Sequence, residues 1–211
     1  MKALLINGSP HDKGSTYTAL RLVADALEEE GVEAEIYQIP PVPVSGCVGC
    51  YYCRSVGEDR CVMEGDAVNV IIEKMEGADA LVLGSPVYYA APTGQLLAVL
   101  DRVFFSGKAA FTGKPASAIC VARRAGTTAT LDVLQKYFTI CGMPIAPSTY
   151  WPMAHGMSGE EVMKDEEGVQ IMQMVGKTVA WMLKCIEAGK QAGIDYPEIP
   201  GGEKIATNFI R

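Results

Sequence analysis

Four cysteines fall within fifteen residues, Cys47, Cys50, Cys53 and Cys61, in the spacing C-x2-C-x2-C-x7-C. Two-residue gaps let consecutive thiolates turn toward one centre, and Gly46, Gly49 and Gly57 offer the backbone freedom that such convergence needs. The chemistry of the set is metal binding. Four thiolates suit a cubane iron-sulfur cluster, a closed tetrahedral zinc site is the second reading, and free thiols are the third. Cys120, Cys141 and Cys185 lie apart in apolar stretches and read as small buried hydrophobes.

A second group of residues suits an anion. Gly8-Ser9-Pro10-His11-Asp12-Lys13-Gly14-Ser15-Thr16-Tyr17 is a hydroxyl-rich connection that ends where a helix begins, so its backbone N–H groups are placed to receive a phosphate. It is not a Walker A loop, because Lys13 precedes Gly14 where that loop needs Gly-Lys-Ser/Thr, and no Gly-x-Gly-x-x-Gly is present. A plain helix cap by Ser15 or Thr16 is the alternative. Two further loops have the composition of a ligand rim. Ser85-Pro86-Val87-Tyr88-Tyr89-Ala90-Ala91-Pro92 offers peptide edges and two aromatic rings to a planar ligand. Ala122-Arg123-Arg124-Ala125-Gly126 offers backbone donors and two guanidinium groups. His155 lies among loop residues without an evident partner.

The elements that must hold these loops alternate. Residues 2–7 form a short, almost wholly apolar run, as for a strand covered on both faces. From Ser15 to Gly31, Leu20, Val23, Ala24 and Leu27 recur at helical spacing. A strand over 33–39 ends in Pro40-Pro41-Val42-Pro43, and a Cys- and Gly-rich excursion follows to residue 61. The pattern then predicts a helix over 66–75, a strand over 80–84, a helix over 93–105, a strand over 116–121, a helix over about 127–141, and a fifth strand over 145–150. A last helix runs from Ser158 to about Ala192, with a candidate break at Gly168. Strands separated by helices of this length imply a parallel sheet with right-handed crossovers and helices on both faces. Ligands of such sheets bind beyond the carboxyl ends of the strands, where all three loops fall.

The 211 residues suit one domain with embellishments, read as 1–195 with a Cys-rich loop at 40–63 and a tail at 196–211. The tail is either frayed or an arm that packs on a neighbouring subunit, since Phe209 and Ile210 would otherwise be exposed. A net charge of −7 leaves no broad basic surface and argues against nucleic acid as a partner. The apolar run at the N-terminus is too short for a signal peptide, and no segment approaches the ~18 apolar residues of a membrane helix. A soluble, cytoplasmic protein is expected, without a membrane partner.

Taken together, Asn7-Gly8-Ser9-Pro10 with Gly14-Ser15-Thr16, the cysteine cluster, Gly84-Ser85-Pro86-Val87-Tyr88-Tyr89, and Gln95-Leu96 followed by Leu100-Asp101-Arg102 resemble one known group. It is the NADPH-dependent FMN reductase-like branch of the flavodoxin fold, and in particular the iron-sulfur flavoproteins. The resemblance covers residues 1 to about 143. It implies an α/β fold with a doubly wound five-stranded parallel sheet in the order 2-1-3-4-5. It places FMN at the switch point, with Ser9, His11, Ser15, Thr16 and Tyr17 at the phosphate. Pro86, Val87, Tyr88 and Tyr89 would line the isoalloxazine, and Ala122, Arg123, Arg124 and Gly126 would meet its pyrimidine edge. It implies a [4Fe-4S] cluster on Cys47, Cys50, Cys53 and Cys61. The implied activity is that of an FMN-dependent oxidoreductase or electron-transfer flavoprotein. NAD(P)H, a quinone or ferredoxin would be its redox partner, and a homodimer or homotetramer its assembly. Alternatives are a cluster-free NAD(P)H-dependent FMN or quinone reductase, and a flavin carrier without turnover. His11 stands where relatives often carry Arg, which would make a side-chain contact to phosphate pH-dependent.

Overall fold

In the computed structural model, which describes residues 1–200 together with 202, 205 and 207, the strands are β1 (Lys2–Asn7), β2 (Glu33–Gln38), β3 (Ala80–Pro86), β4 (Ala116–Ala122) and β5 (Met153–His155). They form one sheet in the order β2-β1-β3-β4-β5, and every pairing is parallel. The helices are α1 (Ser15–Glu29), α2 (Tyr52–Ser55), α3 (Ala67–Glu76), α4 (Gly94–Ser106), α5 (Thr127–Ile140), α6 (Gly159–Val162) and α7 (Glu166–Gln191).

The strand alternation of period two sorts the core into two layers. Leu4, Ile6, Leu81, Leu83, Ala118 and Cys120 face α3, α4 and α5. Ala3, Leu5, Ala80, Val82, Ile119 and Val121 face α1 and α7. The central strands are therefore apolar along their whole length because neither face meets water. A close helix contact on the second layer is made by Gly176 of α7, where an added Cβ would stand 2.5 Å from the Val23 carbonyl oxygen and 2.8 Å from Ala26 Cβ of α1. Gly176→Ala must push two helices apart against backbone atoms. It is expected to lower stability by about 1–3 kcal/mol, read as a reduced urea midpoint with an unchanged m-value.

The first four strands lie where the pattern predicts. The fifth does not. Residue 145 touches β4 only through an isolated bridge to Ala116, flanked by hydrogen bonds from the Ala116 N–H to Pro144 O and from the Ala146 N–H to Ala116 O. Pro147 has no N–H to continue the ladder. The chain swings out through Tyr150 and Trp151 and rejoins β4 with Met153 opposite Cys120. The predicted break at Gly168 is also displaced. The helix is interrupted between Val162 and Glu166, and the Asp165 carboxylate caps α7 by accepting from the Gly168 N–H at 3.0 Å. The Asp165 side chain also accepts from the His155 N–H at 2.7 Å and lies 3.6 Å from that residue's ring nitrogen Nδ1, so His155 is a strand residue with a partner. A one-turn helix, α2, lies inside the cysteine loop and was not expected.

Candidate functional site

Parallel pairing of β1, β3 and β4 brings the loops that follow them to one edge of the sheet. The contacts there are direct. The Gly8 N–H donates to Gly84 O at 2.8 Å, and Thr93, which caps α4, donates its hydroxyl to Gly8 O at 2.8 Å. A Cβ on Gly8 would stand 2.5 Å from a Leu96 methyl and 2.9 Å from Gly84 O, so the first two loops touch because residue 8 has no side chain. The third loop closes on the second. The Val87 N–H donates to Val121 O at 3.0 Å, and Gly126, at φ +94°, would place a Cβ 2.8 Å from Ala90 Cα and 2.9 Å from Val87 Cγ1. The three rims read from the sequence are thus one continuous surface.

The 8–14 loop is braced by Asn7, which the sequence reading quoted in a motif without a role, and by Gln38, which it passed over. Asn7, fully buried, accepts from the Ser9 N–H at 3.1 Å and donates to His11 O at 3.2 Å and to Gln38 Oε1 at 2.6 Å. Gln38 donates in turn to Ser9 O at 2.8 Å. The Ser9 hydroxyl, also buried, accepts from the His11 N–H at 3.2 Å and so holds the loop rather than opening outward. At the helix that follows, the N-cap is Gly14, and among the described residues no side chain caps α1. Ser15 and Thr16 are therefore the first residues of the helix, and the plain-cap alternative does not apply to them. An uncapped N-terminus with two hydroxyls in its first turn fits a phosphate.

At the second rim the chain makes a tight two-residue turn. Tyr88 and Ala91 exchange both backbone hydrogen bonds, at 2.9 and 3.0 Å, and the residues between them, Tyr89 and Ala90, have φ of 51° and 57°. Left-handed φ at two successive non-glycine residues is strained backbone, which concentrates at ligand sites. Tyr88 is half-exposed and Tyr89 wholly exposed. Arg123 and Arg124 are exposed on the loop that follows β4, while Ala122 is buried at the end of that strand.

The cysteine loop lies against the C-terminal half of α4. Cys47, Cys50, Cys53 and Cys61 line one small hollow together with Tyr51, Arg102 and Phe105. Among the described residues no three His, Cys, Asp or Glu side chains stand at the spacing of a single bound ion. Cys47 and Cys50 are exposed, Cys53 is partly covered and Cys61 is buried. Burial raises the Cys53 thiol pKa, against the nearby Arg54 guanidinium, which lowers it. Gly49 and Gly57 take left-handed φ of 64° and 67°, whereas Gly46 does not; Tyr51, at φ 58°, supplies the third such bend. Cys61 is fixed at its backbone by Asn69 of α3, which accepts from its N–H at 2.8 Å and donates to its carbonyl at 2.9 Å.

Residues 1–158 match the model of the family described as NADPH-dependent FMN reductase. The chain belongs to this family. An iron-sulfur flavoprotein of Methanocaldococcus jannaschii is 30% identical over 198 residues, which cover 89% of this chain and 100% of that one. Among solved structures, a flavodoxin from the domain Archaea superposes with a TM-score of 0.59 at 14% identity, covering 87% of this chain and 99% of that chain. RosB with bound 8-demethyl-8-formylriboflavin-5'-phosphate superposes with a TM-score of 0.66 at 16% identity, covering 100% of this chain and 91% of the other. The fold is flavodoxin-like, and the protein is an FMN-dependent oxidoreductase.

Other features of this FMN reductase relative lie away from that edge. A cavity of about 560 Å³ is lined by Met1, Asp79, Lys114, Leu183, Ile194 and Tyr196. Met1 and Asp79 immediately precede β1 and β3, so the cavity faces the end of the sheet from which the strands start. Tyr196, the first residue of the expected tail, donates its hydroxyl to Gly142 O at 2.9 Å. Phe209 and Ile210, on which the arm reading depends, lie outside the described residues. Cys120 and Cys141 are buried as expected, but Cys185 is exposed because it falls on the outer face of α7. Burial pushes the Cys120 thiol up to about 12 and raises that of Cys141. In metal-free native protein, Ellman's reagent is expected to label Cys185, Cys47 and Cys50 quickly and to reach Cys120 and Cys141 only on unfolding. Fast labelling of Cys120 would contradict the packing of β4 against α5.

Proposed function

We propose that this protein passes electrons between FMN at the sheet edge and a [4Fe-4S] cluster in the cysteine loop. The single observation that carries the reading is the joining of two sites by α4. Thr93 at its start is bonded to the loop after β1, and Arg102 and Phe105 near its end line the hollow shared by the four cysteines. In this assignment Ser15, Thr16 and Tyr17, with the uncapped start of α1 and the Ser9–His11 loop, hold the FMN phosphate. Pro86, Val87, Tyr88 and Tyr89 lie along the isoalloxazine, and Ala122, Arg123, Arg124 and Gly126 meet its pyrimidine edge. Bound FMN supplies the hydride and single-electron chemistry. The chain's own part would be to place the ring and to stabilise negative charge on it through peptide N–H groups and the two guanidiniums. No side-chain nucleophile is required.

Cys47, Cys50, Cys53 and Cys61 are assigned as cluster ligands. Their support is the shared hollow, the glycines that turn the loop, and the name of the Methanocaldococcus relative. NAD(P)H is the proposed donor, and a quinone or a protein such as ferredoxin the proposed partner at the other end. Among the described residues no helix is long and apolar enough to cross a membrane, and a cytoplasmic setting is proposed. A homodimer or homotetramer is also proposed. Trp181 and Met174 are exposed along a groove with Pro147 to Thr149, and the next residues, Tyr150 and Trp151, are exposed too.

An anaerobic preparation assayed for flavin, iron, sulfide and zinc tests the reading, followed by turnover with NAD(P)H and a quinone. FMN with iron and sulfide supports it. FMN with NAD(P)H turnover but no iron points to a cluster-free reductase, and zinc in place of iron makes the cysteine site structural. FMN reduced only by ferredoxin, without turnover, points to a carrier.

A further inference from the structure

Arg102 heads the largest fully buried side chains, at 1% exposure. A buried guanidinium costs several kcal/mol unless its charge and its N–H groups are matched, so its partners tell what the position is for. All of them belong to the cysteine loop and its flanks. The Nη1 group pairs with the Asp66 carboxylate and donates to Ser45 O at 3.3 Å; Nη2 donates to Met63 O at 2.5 Å. The Nε–H donates to Cys61 Sγ at 3.3 Å. Ser45 lies just before the first cysteine, and Met63 and Asp66 lie just after the last. Asp66 alone would match the charge. The other three bonds tie both ends of the loop to one rigid plane and aim one donor at a candidate ligand sulfur.

Neighbouring residues of α4 hold the rest of the loop. Phe105, one turn further on, meets the Tyr51 ring edge-on at 5.9 Å and lies 4.9 Å below the Arg54 guanidinium. Gln95 donates to Pro40 O at 2.7 Å and to Val42 O at 2.9 Å, where the chain leaves β2.

We infer that Arg102 is the positioning residue of the thiolate centre: it fixes the separation of the loop's two ends for metal assembly and, through its bond to Cys61 Sγ, raises the centre's reduction potential. This inference rests on reading Cys47, Cys50, Cys53 and Cys61 as a [4Fe-4S] site. Reduction adds one negative charge to a cluster. Because Asp66 matches the guanidinium charge, the bond to a ligand sulfur is what separates the two forms: it strengthens as the sulfur gains electron density and so favours the reduced form, and hydrogen bonds to sulfur are among the means by which a chain sets such potentials. Lysine cannot replace it fully, because one ammonium on a flexible stem does not span acceptors spread as widely as Ser45 O, Met63 O and Cys61 Sγ.

The experiment compares Arg102→Lys, Arg102→Met and the double variant Arg102→Met/Asp66→Asn with the parent chain. The double variant is included because removing the guanidinium alone strands the Asp66 carboxylate; Asn keeps the α3 cap, in which Oδ1 accepts from the Val68 N–H. Bound FMN reports that each chain is folded. In metal-free protein, the alkylation rate of Cys61 by iodoacetamide, read by peptide mass spectrometry, is expected to rise at least about tenfold in both methionine variants. After reconstitution their iron and sulfide per chain fall several-fold, and the cluster that does form has a more negative midpoint potential in a dye-mediated titration. Arg102→Lys is expected to recover the potential more than the occupancy. Unchanged Cys61 alkylation together with an unchanged potential overturns the inference. If the parent chain takes up zinc or no metal, the cluster reading fails, and the positioning role is then decided by the alkylation ratio alone.

Discussion

Replacing Cys50 by serine removes iron and acid-labile sulfide from the reconstituted protein and leaves its FMN in place. A serine hydroxyl is a poor substitute for a thiolate, and since loss of even an outer-shell partner costs 10–100-fold in metal affinity, loss of a direct ligand should lower iron content by more than about tenfold. Cys50 is exposed and lies on the cysteine loop, whereas the FMN rims follow β1, β3 and β4. Flavin absorbance per chain and the thermal midpoint of metal-free protein are therefore expected to match the parent. Iron and sulfide assays beside a flavin spectrum check this. Unchanged iron removes Cys50 from the ligand set, and loss of FMN with the iron makes the loop part of the flavin site instead.

The contrast between the two sites shows which physical information a sequence carries. The sheet edge was legible because its determinants are local: β1, β3 and β4 are continuous apolar runs, each ending in a loop whose composition differs sharply from the strand, and parallel topology alone forces those loops together. Residues that act across the chain were not legible in the same way. Asn7 and Gln38 brace the 8–14 loop, but they sit 31 positions apart and only the pairing of β1 with β2 brings them together. Arg102 reaches Cys61 over 41 positions, and although it stands in a motif of the family resemblance, nothing local gives it a partner or a role. Asn69 clamps Cys61 from α3, and nothing in its neighbourhood signals that role. β5 failed for a local reason, since Ile145 to Tyr150 has strand composition, yet Pro147 breaks the ladder and three residues after Pro152 complete it. Cys185 was misplaced because its apolar surroundings belong to one face of α7 and the cysteine to the other.

Replacing Ser15 and Thr16 together by valine weakens FMN binding at least about 100-fold, while riboflavin, which lacks the phosphate, binds as to the parent. A hydrogen bond to a charged acceptor contributes about 1.5–3 kcal/mol, so loss of two costs about 3 kcal/mol or more, and each 1.4 kcal/mol is tenfold in affinity. Binding is not abolished, because the backbone N–H groups at the uncapped start of α1 remain and the helix dipole still favours an anion there. The substitution is mild for the fold. Thr16 is 1% exposed and valine has nearly its shape, with the helix propensities differing by only a few tenths of a kcal/mol. Chemical denaturation of the flavin-free variant should then differ from the parent by less than about 1 kcal/mol. Fluorescence titration with FMN and riboflavin in parallel separates the outcomes. Selective loss of FMN places the phosphate at α1, equal loss of both ligands means that the ring site was disturbed, and no loss of either places the phosphate elsewhere.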